Sequence, residues 1–94
     1  MIRSFRSRAL KRYWNAGRVK GLPARDLEKI RRILTSLAAA TSPADMALPQ
    51  YDFHPLKGDR RGTYAVAVRA NWRITFEWEE GGALRVDLED YHGE

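Results

Sequence analysis

The hydrophobic period changes partway along the chain, and that change constrains the fold more than any other feature. Leu27, Ile30, Leu34 and Leu37 recur at spacings of three and four, the apolar stripe of one helix. Past residue 62 the period is two. Tyr64, Val66 and Val68 share one side of a run from Thr63 to Val68. Trp72, Ile74, Phe76 and Trp78 share one side of the next, and Leu84, Val86 and Leu88 continue on a third. Gly81-Gly82 between the last two predicts a hairpin turn.

The first half fills in around this frame. Ile2-Arg3-Ser4-Phe5 alternates apolar and polar residues, which predicts a short strand. Arg6 to Ala16 predicts a helix, with Leu10, Tyr13 and Trp14 on one face and Gly17 as its stop. Pro23 suits the first turn of the second helix, where its missing N–H costs nothing. Ser42-Pro43-Ala44-Asp45 reads as a capped turn. Tyr51 to His54 predicts another short strand, and Lys57 to Gly62 a charged turn. The sum is one α+β domain spanning 1–94, with an N-terminal strand and two helices packed on one face of an antiparallel sheet. The other sheet face would receive Arg73, Thr75 and Glu77, and Arg69 if the register holds. Such a face, flanked by polar loops, is expected to cradle RNA.

Charge separates the halves. Residues 1–40 hold eleven Lys/Arg against two Asp/Glu, a net +9, whereas residues 41–94 hold six against ten, a net −4. A basic half of this strength favours a polyanion, most commonly nucleic acid. The candidate RNA- or ribosome-binding cations are Arg3, Arg6, Arg8, Lys11, Arg12, Arg18, Lys20, Lys29, Arg32, Arg60 and Arg61. The Arg-rich start reads as part of the fold, because apolar residues are interleaved at helical spacing. The absence of cysteine excludes disulfides and thiolate metal sites, and fits a reducing cytosol. No apolar run approaches the roughly 18 residues of a membrane span, so no membrane association is expected.

Two histidines, His54 and His92, each end a predicted strand. Cleaving RNA by 2′-hydroxyl attack needs a base for the 2′ proton and an acid for the 5′ oxygen. It also needs a cation to stabilise the phosphate. His54, His92 and Tyr91 offer proton transfer, Lys57 and Arg73 offer cations, and Asp90 could orient a histidine. Taken singly, each of these residues has an ordinary structural explanation. No His/Asp/Glu spacing matches a metal cage, and there is no phosphate loop or nucleophile elbow. Neither metal nor cofactor is expected.

Five blocks in order carry a family resemblance: Ile2–Phe5, Leu37–Met46, His54-Pro55-Leu56-Lys57-Gly58-Asp59-Arg60-Arg61-Gly62, Asn71-Trp72-Arg73-Ile74-Thr75-Phe76, and Asp90-Tyr91-His92. Together they resemble the HigB toxins, or plasmid maintenance killer proteins, of the RelE/ParE superfamily. The resemblance implies a RelE-like fold and a bacterial, cytoplasmic toxin that enters the ribosomal A site and cleaves messenger RNA there. It implies a HigA-like helix-turn-helix antitoxin, through which alone operator DNA would be contacted. The matching site positions are His54, Lys57, Arg73, Asp90, Tyr91 and His92. His54 and His92 are the expected acid and base, in an order left open. Tyr91 is a third proton-transfer group or a stacking platform, and Lys57 and Arg73 hold the phosphate. Three alternatives remain: a ParE-like gyrase poison, a DNA-binding repressor, and a degenerate copy that only binds its antitoxin.

Overall fold

The computed structural model describes residues 1–91. The first helix, α1 (Arg8–Ala16), starts two residues later than the periodicity suggests, because Ser7 is its cap. The Ser7 hydroxyl accepts from the Leu10 N–H at 3.0 Å. Gly17, at φ 69°, ends the helix in the left-handed region, and its N–H closes onto the Tyr13 carbonyl at 2.9 Å.

Pro23 stands one turn earlier than expected. It precedes a 3-10 turn, Ala24–Asp26, and α2 begins at Leu27 (Leu27–Ala39). Asp26 does not cap α2, because its carboxylate is engaged elsewhere: Arg69 donates to both its oxygens at 2.9 and 3.1 Å. The buried stripe of α2 is Ile30, Ile33, Leu34 and Leu37, so Ile33 joins the set and Leu27 sits at its half-buried margin.

Four strands follow: β1 (His54–Pro55), β2 (Thr63–Arg69), β3 (Trp72–Glu79) and β4 (Gly82–Asp90). They form an antiparallel meander in chain order. The hairpin between β3 and β4 turns through Glu80 and Gly81, both at positive φ (40° and 79°), as a two-residue loop of matching twist requires. Gly82 is already in the strand. A Cβ there would lie 2.5 Å from the Arg3 side chain, which crosses it.

The predicted first strand pairs in parallel with β4 through two bridges, Ile2 with Ala83 and Phe5 with Val86. Backbone bonds such as Arg3 N–H to the Ala83 carbonyl, at 2.7 Å, cover an edge that would otherwise invite pairing with another chain. The predicted strand at Tyr51–His54 is shorter and later. Tyr51 closes a 3-10 turn (Pro49–Tyr51) and is buried, and ladder pairing begins at His54.

The core lies between the helices and one face of the sheet. Leu10, Ile30, Ile33, Leu34 and Leu37 pack there with Val66, Ile74, Phe76 and Val86, all 0–1% exposed. An aromatic row lines the same face, with Phe53 stacked on Tyr64, Tyr64 on Phe76, and Phe76 edge-on to Trp78.

Candidate active site

Ladder register decides which side chains reach the far face, away from the helices. His54 pairs with Ala65, Ala65 with Thr75 and Thr75 with Asp87, so all four share one face. Pro55, Tyr64 and Phe76 form the adjacent row on the aromatic, core side. His54 therefore stands opposite the core.

Local structure fixes its ring. The turn before β1 is anchored by buried Tyr51, whose hydroxyl lies 3.2 Å from the Ser36 hydroxyl, and by Phe53 on Tyr64. Asp52, at φ 45°, redirects the chain between them. His54 Nδ1 then lies 3.1 Å from the Asp52 carbonyl oxygen. A carbonyl only accepts, so Nδ1 carries the hydrogen and donates it. In the neutral ring Nε2 is left as an acceptor, the state a general base needs.

His54, Pro55, Leu56, Lys57 and Tyr91 line a cleft of about 280 Å³. Leu56 is buried and forms apolar wall, while Lys57 is exposed at the rim. Tyr91 follows the end of β4, held by its N–H to the Asn71 carbonyl at 2.8 Å. Three of the six residues singled out from sequence thus meet in one cleft. His92 lies outside the described residues.

The other two sit at the β2–β3 end of the sheet and do not line this cleft. Arg73 is on the far face, as its alternation predicts. Its Nη1 donates to the carbonyls of Ala70 (2.7 Å) and Trp72 (3.2 Å), so its head is folded over its own turn. Its Nε is buried without a hydrogen-bond partner. Asp90 is exposed at the end of β4, opposite Trp72.

The far face differs from the basic cradle expected of it. Arg69 leaves it altogether. A register shift between Ala67 and Arg69 breaks the alternation, and the guanidinium pairs with buried Asp26 ahead of α2. Two ion pairs take up much of its remaining charge. Arg85 pairs with Glu77 at 3.1 Å, and Arg60 makes a two-point contact with Glu89, with both N–O distances 2.7 Å. Thr75, which is buried, donates its hydroxyl to Glu89. The Arg60 guanidinium holds the Glu89 carboxyl below the usual carboxylate range. Burial opposes this and the Thr75 hydroxyl adds to it. Glu89 in turn raises Arg60. The Arg60–Glu89–Thr75 set escaped the sequence reading because Asp87 and Glu89 alternate with Leu88, the usual look of a solvated strand. Arg60 was the partner that could have pointed to it.

Of the other candidate RNA-binding cations, Arg6, Arg8, Lys11, Arg12, Arg18, Lys20 and Arg61 are exposed. Arg32 pairs with Glu28 at 3.0 Å, Lys29 reaches the Gln50 carbonyl and Arg3 the Glu79 carbonyl. Among the described residues no group of three or more His, Cys, Asp or Glu is placed to hold a metal ion. None of their helices is long and apolar enough to cross a membrane.

Two helices and a flanking N-terminal segment on a four-stranded antiparallel sheet, with a histidine cleft at the β1 edge, define a class of small α+β domain. A crystal structure of a YafQ mutant from E. coli shares the fold, with TM-score 0.56 over 92% of this chain and 91% of that one, at 20% identity. The family model for the RelE-like toxin of the type II toxin-antitoxin system HigB matches residues 3–92. "Endoribonuclease HigB" of Proteus vulgaris is 42% identical over 92 residues, 98% of this chain and all of that protein. The chain belongs to the HigB-like toxin family, and a toxin of a type II module has an antitoxin as its partner.

Proposed function

We propose that this chain is a ribosome-dependent endoribonuclease. Residues 1–94 act as one toxin domain in the bacterial cytoplasm, cutting messenger RNA in the ribosomal A site to arrest translation. A HigA-like helix-turn-helix antitoxin silences it and makes the contact with operator DNA. The supporting observation is the shared cleft of His54, Lys57 and Tyr91, with the His54 ring held so that Nε2 is an acceptor. The endoribonuclease activity named for the Proteus vulgaris relative agrees with it.

The chemistry follows from those groups. His54 Nε2 takes the 2′-hydroxyl proton, and the 2′ oxygen attacks the adjacent phosphorus. The 5′ oxygen leaves with a proton, giving a 2′,3′-cyclic phosphate. With His54 as base, His92 is the acid, and Tyr91 stacks on a base at the cut. The Lys57 ammonium at the rim stabilises the charge gathering on the phosphate. Arg73 serves this site after its head turns from the Ala70 and Trp72 carbonyls to the phosphate, supplying a partner for its buried Nε. The exposed cations of α1 and the following turn add electrostatic affinity for ribosomal RNA.

The test is growth on induction in a bacterium, with primer extension on a translated message, for wild type, His54→Ala and His92→Ala. The expected result is arrest with new cuts that vanish in both variants. Arrest without cuts would replace this reading with a gyrase-type poison.

A further inference from the structure

Glu89 has no part in the chemistry above, yet it lies between the two segments that bring that chemistry together. It immediately precedes Asp90 and Tyr91. Its carboxylate is the most heavily engaged on the far face: Arg60 takes both oxygens, and Thr75 adds a third bond from the neighbouring strand. The Glu89 side chain is 20% exposed and that of Arg60 37%. Arg60 ends the short turn Gly58–Arg60, and Lys57 immediately precedes it as its cap residue. Inside that turn the Arg60 N–H bonds the Lys57 carbonyl at 3.2 Å, and the Arg61 N–H bonds the Gly58 carbonyl at 3.1 Å. Gly58 sits at φ 64°, so the turn is sharp.

We infer that Glu89 is a positioning residue of the proposed cleft. By gripping Arg60 at two points it fixes the 57–61 turn against β4, and so sets Lys57 opposite Tyr91. A planar fork-to-carboxylate contact suits this task, because it fixes orientation as well as distance. Thr75 is the seat: it is buried on β3 and aims the carboxylate toward the turn. Arg60 is thereby a strut of the site rather than an RNA contact. The inference rests on the functional reading given above.

The experiment compares wild type with Glu89→Gln, Arg60→Ala, Arg60→Lys and the Glu89→Gln/Arg60→Ala double variant. Each is assayed for steady-state cleavage on ribosomes carrying a defined message, below its melting temperature by circular dichroism. Amide hydrogen exchange is followed in parallel on the isolated proteins. Glu89→Gln should lower kcat by about tenfold to a hundredfold, the scale expected of a misplaced catalytic group, with KM unchanged. Amides of residues 57–61 should exchange faster while those of α2 stay protected. Arg60→Ala should match it, the double variant should be no worse than either single, and Arg60→Lys should fall between. Tighter binding with kcat retained in Glu89→Gln would show Arg60 to be a phosphate ligand held in reserve, and would overturn the inference. So would additive losses, or unchanged exchange at residues 57–61. Wild type that does not cut would refute the functional reading instead. The exchange arm would then decide on its own whether the clamp exists.

Discussion

The two faces of one sheet are built from the same four strands and share almost nothing else. Toward the helices, Val66, Ile74, Phe76 and Val86 meet Ile30, Leu34 and Leu37 with no polar side chain among them. On the far side, Thr75, Glu89 and Arg60 form one polar group, Glu77 and Arg85 another, and His54 stands at the β1 edge. Strand alternation makes this division possible, because adjacent residues face opposite ways. Stability is concentrated on one face, and the proposed chemistry lies on the other. A residue one position along the chain therefore changes which property a substitution affects.

Four substitutions and a pH titration can break or sharpen that division. The largest effect is expected at Lys57→Ala. Cleavage on programmed ribosomes should fall about a hundredfold with loss of the phosphate cation, while the melting temperature stays within a few degrees, roughly the range of exposed sites. Leu34→Ala should do the reverse. Removing a fully buried leucine costs about 3 kcal/mol, lowering the melting temperature by roughly 12–24 °C in a domain of this size. Cleavage per folded molecule should not change.

Asp26→Asn, which ends the pairing of a buried carboxylate with Arg69, should cost about 2 kcal/mol in urea unfolding. Because Arg69 holds the start of the β2–β3 turn, this variant tests whether the helix side supports the far side. The titration concerns Glu89. Its carboxyl is depressed by Arg60, so it favours the folded state above its unfolded value, about 4.3, and that contribution is lost as pH falls through the lower folded value. Urea midpoints of wild type and Glu89→Gln should therefore converge as pH drops from about 5 toward 3. The smallest effect belongs to Glu28→Ala. Its partner Arg32 is 67% exposed, and losing that pair should change stability by less than about 0.5 kcal/mol.

The helix face was legible in the sequence because burial imposes a period. The apolar faces of both helices and the three long strands follow from spacing, the Gly17 stop follows from residue type, and Ile33 was missed only because it widens a stripe already recognised. The far face was half legible. Alternation put Arg73, Thr75 and Glu77 there correctly, and the blocks around His54 and Tyr91 singled out residues that share a cleft. What the sequence did not show depends on pairing across distance. Arg69 left the face because a bulge shifted the register by one. Arg60 looked free because its acceptor lies 29 residues away. The folding of Arg73 onto the Ala70 and Trp72 carbonyls depends on a turn with Ala70 at φ 51°, a conformation no periodicity encodes. His54 could be assigned its face only once two ladders linked it to Thr75.

The most direct measurement of the division between faces is one protein, His54→Ala, assayed twice. Thermal unfolding should match wild type within a few degrees, and cleavage of a translated message should fall by at least about a hundredfold, the usual contribution of a positioned base. Cleavage that persists at the wild-type rate would remove His54 from the chemistry and contradict the assignment of the far face as the active one.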